Sequence, residues 1–143
     1  MTNAPALAVD YLRRARLRVQ AVDALIGVAD FADAVRESQE TVELAVKALL
    51  KLAGLTYPRA HDVARLLRDP SIAGPLLEAD ELQRIELAPK TLRRDRELAF
   101  HGDEDVVPLE YYERSDADAA RTHLLAVLEI VARAFERHGT VVD

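Results

Sequence analysis

The apolar residues of this chain recur at intervals of three and four over long stretches, which is the spacing of an amphipathic helix. Within residues 5–27 the apolar positions are Leu7, Tyr11, Ala15, Val19, Val22 and Ile26. A second stripe lies within residues 30–52, and a third within residues 115–138 is formed by Ala120, Leu124, Val127, Val131 and Phe135. Runs that would predict strands are only two residues long. The pattern therefore predicts an all-α protein.

The first two of these helices have clear start and stop residues. Pro5 is tolerated in a first helical turn, and Gly54 suits the left-handed conformation that ends many helices. Only a short turn at residues 27–30 separates the first helix from the second. We therefore expect the two to pack as an antiparallel hairpin.

The middle of the chain is interrupted by prolines. Because the residue before a proline disfavours the helical region, the chain turns or extends at Pro58, and we expect a short helix at residues 60–67. Asp69 and Pro70 close it, and residues 71–77 are predicted to form a loop or a broken helix.

A helical spacing returns at residues 80–100, but Pro89 falls inside it. The proline either kinks this helix or divides it, and the sequence leaves both open, so residues 90–100 are the better supported part. Gly102 ends the helix, and an acidic loop follows.

The last helix is expected to begin at Ser115, where Ser115 and Asp118 approximate a capping box. Asp116 favours the positive end of the helix dipole. Taken together, the elements predict an up-and-down bundle of four to five main helices plus a short helix. We expect this bundle to form a single domain over residues 1–143.

The composition fits this picture and removes several classes of function. A chain of 143 residues is long enough for one cohesive core. It has no cysteine, which excludes disulfides, thiolate metal sites and cysteine nucleophiles. No apolar run approaches the roughly 18 residues of a membrane span, and no targeting segment is recognisable. We expect a cytoplasmic protein without a membrane partner.

The net charge of −6 is unevenly distributed. Residues 103–118 alone hold seven acidic side chains against one arginine. Proteins that clamp long nucleic acids usually show a basic stripe, because neutralised phosphates supply most of the non-specific affinity. The sequence has no large stripe of this kind.

Arg96 and His101 are the first candidates for chemistry. A guanidinium group binds phosphate, and a histidine transfers protons near neutral pH, so the pair suits cleavage of a phosphodiester by a neighbouring 2′-hydroxyl without a metal. On a regular helix the two would lie roughly 140° apart. They converge if the helix unwinds at Gly102, or if two copies meet in a dimer. The alternative is an ordinary surface arginine and a helix-terminal histidine.

Three further features each have two interpretations. Glu43 and Lys47 form either a solvated ion pair or part of a polar face that lines a groove. Asp62 caps the short helix while His61 faces solvent, or the two contact a ligand. The acidic loop at residues 101–105 lacks the spaced ligands of a calcium loop, so we assign no metal site and no cofactor.

Several of these residues belong to one ordered set of motifs. The set is Ser38-Gln39-Glu40, Glu43-Leu44-Ala45-Val46-Lys47-Ala48-Leu49-Leu50, Tyr57-Pro58, His61-Asp62 and Arg96-Glu97-Leu98-Ala99-Phe100-His101-Gly102-Asp103. In this order it resembles the HEPN domain family of prokaryotes, over roughly residues 5–138. The resemblance implies a helical bundle with an up-and-down core that usually associates as a homodimer.

The best-known members of this family are metal-independent ribonucleases with an arginine, four to six residues, and then a histidine. Arg96 and His101 match that spacing. The resemblance implies that Arg96 holds the scissile phosphate and that His101 assists attack by the 2′-hydroxyl, in a cleft shared by two subunits. The residues that we assign to substrate or nucleotide binding are Gln39, Glu43, Lys47 and Arg93. Many members are toxins, neutralised by a minimal nucleotidyltransferase encoded beside them.

A second hypothesis comes from the charges around the motif. Glu97 follows Arg96 directly, and Asp103 stands where members neutralised by adenylylation carry a tyrosine. Together with the acidic residues 103–118, these favour a non-catalytic helical module that binds a nucleotide or a nucleotidyltransferase. The sequence leaves both hypotheses open.

Overall fold

The computed structural model describes residues 4–57, 63–88 and 111–142. These residues form four α-helices and one 3-10 helix. The helices are α1 (Ala4–Gly27), α2 (Phe31–Leu52), the 3-10 helix (Ala64–Arg68), α3 (Ala79–Glu86) and α4 (Arg114–His138). Within these ranges there is no strand, only a single bridge between Ala73 and Leu77. The predicted all-α fold class is confirmed.

Helices α1 and α2 form the predicted hairpin and pack along their length. The tight turn between them is completed by Ala29, whose φ of 62° lies in the left-handed region. The Asp30 side chain then caps α2 by accepting a hydrogen bond from the Asp33 N–H at 3.1 Å. At the other end of α2, Gly54 has a φ of 75°. This is the left-handed conformation predicted for the residue that ends this helix.

Helix α2 is the central helix of the bundle. Every residue from Phe31 to Leu52 is buried or half-buried, because α2 packs against both α1 and α4. Arg114 at the start of α4 lies over the Phe31 ring at the start of α2, so these two helices run in the same direction. The largest fully buried side chains of the three helices include Leu12, Leu49, Leu50, Leu124 and Phe135. Side chains on α2 are therefore held on a well-supported backbone.

The middle of the chain differs in part from the prediction. The short helix is a 3-10 helix that begins at Ala64, four residues later than expected, while residues 58–62 lie outside the described residues. Helix α3 ends at Glu86, because the residue before Pro89 disfavours the helical region. The better supported stretch of residues 90–100 lies outside the described residues.

The start of α4 was predicted wrongly. Its first helical residue is Arg114, and Glu113 rather than Ser115 occupies the cap position. The Asp116 carboxylate accepts a hydrogen bond from the Glu113 N–H at 2.8 Å, so Asp116 rather than Asp118 is the acidic residue of the capping box. The predicted apolar stripe of α4 is buried as expected.

A buried carboxylate joins α3 to α4. The side chain of Glu81 is 3% exposed and accepts hydrogen bonds from Arg133 Nε at 3.1 Å, from Arg137, and from the Glu78 N–H at 2.9 Å. Arg137 also donates to the Leu76 carbonyl at 2.8 Å. Burial by itself raises the pKa of the Glu81 carboxyl, but the hydrogen bonds from Arg137, the Glu78 N–H and Arg133 outweigh it and lower the pKa.

Replacement of Glu81 by glutamine is expected to lower the free energy of unfolding by about 1–2 kcal/mol at neutral pH, since both arginines are partly exposed and water screens the loss. A lowered folded-state pKa stabilises the protein above the unfolded pKa of about 4.3, and this stabilisation is lost as the pH falls through the folded pKa. The gap between wild type and Glu81→Gln should therefore close in acid. Urea unfolding at several pH values measures it, and a gap that does not vary with pH would contradict this account.

Candidate functional site

Three of the six predicted site residues lie on α2. Gln39, Glu43 and Lys47 follow one another at intervals of four, which places them on one side of the helix, and all three are half-buried. The residues that lie outside the described part of the chain are Arg93, Arg96 and His101, and with them His61, Asp62 and the loop at residues 101–105. The structure therefore brings together the α2 part of the site.

The polar residues next to this stripe are structural. Ser38 is buried, and its Oγ donates to the Ala34 carbonyl at 2.8 Å. Thr41 is also buried, and its Oγ1 donates to the Glu37 carbonyl at 2.7 Å. Because both hydroxyl groups are satisfied inside the helix, they can be buried without a partner from elsewhere. Ser38, the first residue of the ordered motif set, thus helps α2 pack rather than facing a ligand.

Lys47 lies against an aromatic ring rather than against Glu43. Its Nζ is 5.8 Å from the centroid of the Tyr57 ring. In the described part of the chain, no carboxylate oxygen lies within 4.0 Å of Lys47 Nζ, which is the limiting distance for an ion pair. Of the two interpretations of Glu43 and Lys47, the solvated ion pair is therefore not formed.

Four residues around Lys47 were not predicted to belong to the site. Lys51 Nζ lies 5.6 Å from the same Tyr57 ring, and Tyr11 on α1 lies close enough to the Tyr57 hydroxyl to raise its pKa. Arg14 lies 5.9 Å from the centroid of the Tyr11 ring. The spacing of four between the two lysines was visible in the sequence, but nothing there linked them to α1.

Tyr57 is a neutral member of this group. Burial and the neighbouring Tyr11 raise the pKa of the Tyr57 hydroxyl to about 12. The phenol therefore stays protonated over the physiological range and adds no negative charge beside Lys47 and Lys51.

The residues on either side of the undescribed stretch 89–110 are attached to different ends of the bundle. Helix α3, which precedes it, is joined through Glu81 to Arg133, near the end of α4. Tyr112, which follows it, is 4% exposed and packs against Ala32, Val35 and Ala120 near the starts of α2 and α4. These attachment points are separated by roughly 20 Å along the helix axis.

Residues 4–57, 63–88 and 111–142 offer neither a metal site nor a membrane-spanning helix. They contain no group of three or more histidine, aspartate or glutamate side chains that could hold a metal ion. None of their helices is both long enough and apolar enough to cross a membrane.

The helical fold agrees with a comparison against known families. Residues 8–135 match the HEPN domain, which covers most of the chain and confirms the resemblance seen in the ordered motifs. The chain belongs to the HEPN domain family. Comparison with curated proteins and with solved structures gives no significant match.

Proposed function

We propose that this HEPN-domain protein is a metal-independent endoribonuclease with Arg96 and His101 at its active site. The observation that carries the proposal is the spacing of these two residues within a chain that belongs to the family. Residues of α2 then form one wall of the substrate cleft. The proposed substrate-binding residues are Gln39, Glu43, Lys47 and Arg93.

The chemistry follows from the groups available. The 2′-hydroxyl oxygen of the ribose attacks the adjacent phosphorus, and the bond from phosphorus to the 5′-oxygen of the next nucleotide breaks. His101 accepts the proton of the 2′-hydroxyl, and the leaving 5′-oxygen takes up a proton from solvent water, to which His101 later releases its own. Arg96 holds the phosphate and offsets the negative charge that builds up on its oxygens. The products are a 2′,3′-cyclic phosphate and a 5′-hydroxyl.

The reaction is tested by treating RNA with the purified full chain in the presence of EDTA. We expect cleavage to continue at an unchanged rate, because no step uses a metal. The new ends should carry a 2′,3′-cyclic phosphate and a 5′-hydroxyl, which end-labelling and mass spectrometry identify. Fragments with 5′-phosphate ends, or cleavage abolished by EDTA, would reject this mechanism.

We further propose that the active form is a homodimer acting in the cytoplasm as the toxin of a two-component module. On a regular helix Arg96 and His101 would lie roughly 140° apart, and this expected offset favours a cleft completed by a second subunit. Light scattering should then give about twice the chain mass of 15.9 kDa. A minimal nucleotidyltransferase encoded beside the gene should co-purify with the protein and suppress cleavage. A monomer that is unaffected by that neighbour would contradict the module.

A second candidate function is a non-catalytic module that binds a nucleotide or the nucleotidyltransferase. It is favoured by Glu97 beside Arg96 and by the seven acidic side chains of residues 103–118, since these repel RNA. It predicts no cleavage of RNA, together with heat release on titration with a nucleotide or with the purified neighbour. Absence of both binding events would reject it.

A further inference from the structure

The patch formed by Tyr11, Arg14, Lys47, Lys51 and Tyr57 extends beyond the predicted site. Lys47 and Lys51 come from the last two turns of α2, and Tyr57 follows the turn at residues 53–56. The two ammonium groups lie 5.8 Å and 5.6 Å from the centroid of one ring. A ring contact of this kind holds a cation in place while leaving its N–H groups available to an acceptor.

Among the described residues, the two lysines of this patch have no counter-ion. Across residues 4–57, 63–88 and 111–142, neither ammonium group has a carboxylate oxygen within 4.0 Å. Both side chains are half-buried, so water compensates their charges only in part. Two neighbouring cations of this kind favour an anion between them.

The surroundings of the lysines add to the preference for an anion. Arg14 on α1 contributes a third cation, 51% exposed and 3.7 Å from Asp10. Tyr57 remains neutral at physiological pH, because burial and the neighbouring Tyr11 raise the pKa of its hydroxyl. The patch therefore combines three cations with two aromatic rings. Among its described contacts, the acidic residue is Asp10, which lies beside Arg14.

We infer that this patch binds phosphate groups of the RNA strand, on one side of the cleavage point. The inference rests on the proposed function, because Lys47 belongs both to the patch and to the α2 stripe that lines the proposed cleft. Arginine and lysine side chains that neutralise backbone phosphates give affinity with little dependence on sequence. The patch would thus hold the strand while residues elsewhere act on the scissile phosphate.

The test measures binding of a fluorescein-labelled oligouridine carrying 2′-O-methyl groups, which block cleavage, by fluorescence anisotropy of the full chain. Lys51→Gln is expected to weaken binding about 3- to 10-fold at low salt and to reduce the slope of log K against log salt by about 0.7. Lys51→Arg should restore binding, since it keeps the charge. Arg84→Gln is the matched control, because it removes one positive charge from an exposed position on α3.

Each outcome decides the inference. Equal affinity of wild type and Lys51→Gln would overturn it, and so would an equal loss in Lys51→Gln and Arg84→Gln, which would reflect net charge alone. ATP is titrated in parallel as a free-nucleotide source of phosphate. If only ATP binding depends on Lys51, the assignment to RNA is overturned. Normal melting temperatures of the variants show that folding is retained.

This experiment separates the patch from the ribonuclease proposal. A protein that cleaves RNA, but whose Lys51→Gln variant binds the oligouridine as tightly as wild type, overturns the patch and leaves the nuclease standing. A protein that cleaves no RNA, but binds the oligouridine in a Lys51-dependent manner, supports the patch and overturns the nuclease.

Discussion

Replacement of Arg96 or His101 by alanine is expected to lower the rate of RNA cleavage by a factor on the order of 10²–10⁴. Alanine at position 101 removes the group that accepts the 2′-hydroxyl proton, and alanine at position 96 removes a charge that is aimed at the phosphate. The measurement is cleavage of RNA by purified protein under single-turnover conditions. Growth of cells that express the chain alone gives a second readout, and both alanine variants should relieve inhibition of growth.

Two matched controls make this comparison specific. Arg84→Ala removes an exposed arginine from α3, and His138→Ala removes an exposed histidine from the end of α4, where its Nδ1 lies 2.8 Å from Thr140 Oγ1. Both controls should cleave RNA as wild type does. If all five proteins behave alike, the catalytic assignment is wrong and the non-catalytic module is favoured instead.

Replacement of Leu49 by alanine is expected to destabilise the protein by about 3–4 kcal/mol. Leu49 is fully buried on α2, the helix that packs against both α1 and α4. Neighbours on two sides limit how far the structure can close around the missing atoms, so a cavity adds to the lost burial of the side chain. This is a large part of the roughly 5–15 kcal/mol by which a domain is typically stable. Urea unfolding followed by circular dichroism measures the change.

Leu125→Ala is the matched control for Leu49→Ala. Leu125 is 38% exposed on α4, so the same chemical change there should cost no more than about 1 kcal/mol. In thermal melts, we expect Leu49→Ala to unfold roughly 10 °C below wild type. Equal effects of the two substitutions would show that α2 is not the central helix of the bundle.

The sequence by itself determined the helical elements that short-range patterns encode. The long stretches with apolar positions at intervals of three and four became α1, α2 and α4, and the short turn at residues 27–30 became a hairpin. Helix α3 ends at Glu86, ahead of Pro89, and whether Pro89 kinks or divides a longer helix stays a prediction, because the residues that follow lie outside the described ones. These features depend on neighbours within a few positions along the chain, which is the range over which helical periodicity and turn residues act.

Helix ends and short elements were less well predicted. The cap of α4 lies at Glu113 because Asp116 reaches back to its N–H, although Ser115 is the better capping residue by type. The short helix took the 3-10 form and began at Ala64. Several residues near each end can serve as a cap, so small differences in packing decide which one does.

For the candidate site, the sequence determined which residue types lie on one side of α2 and which motif carries Arg96 and His101. Only the tertiary structure decided that Lys47 and Lys51 share the ring of Tyr57, and that Tyr57 lies near Tyr11 from another helix. It likewise paired Glu81 with Arg133 and Arg137 across α3 and α4. The physical reason is that contacts between elements depend on how the helices pack in space, and spacing along the chain does not encode that arrangement.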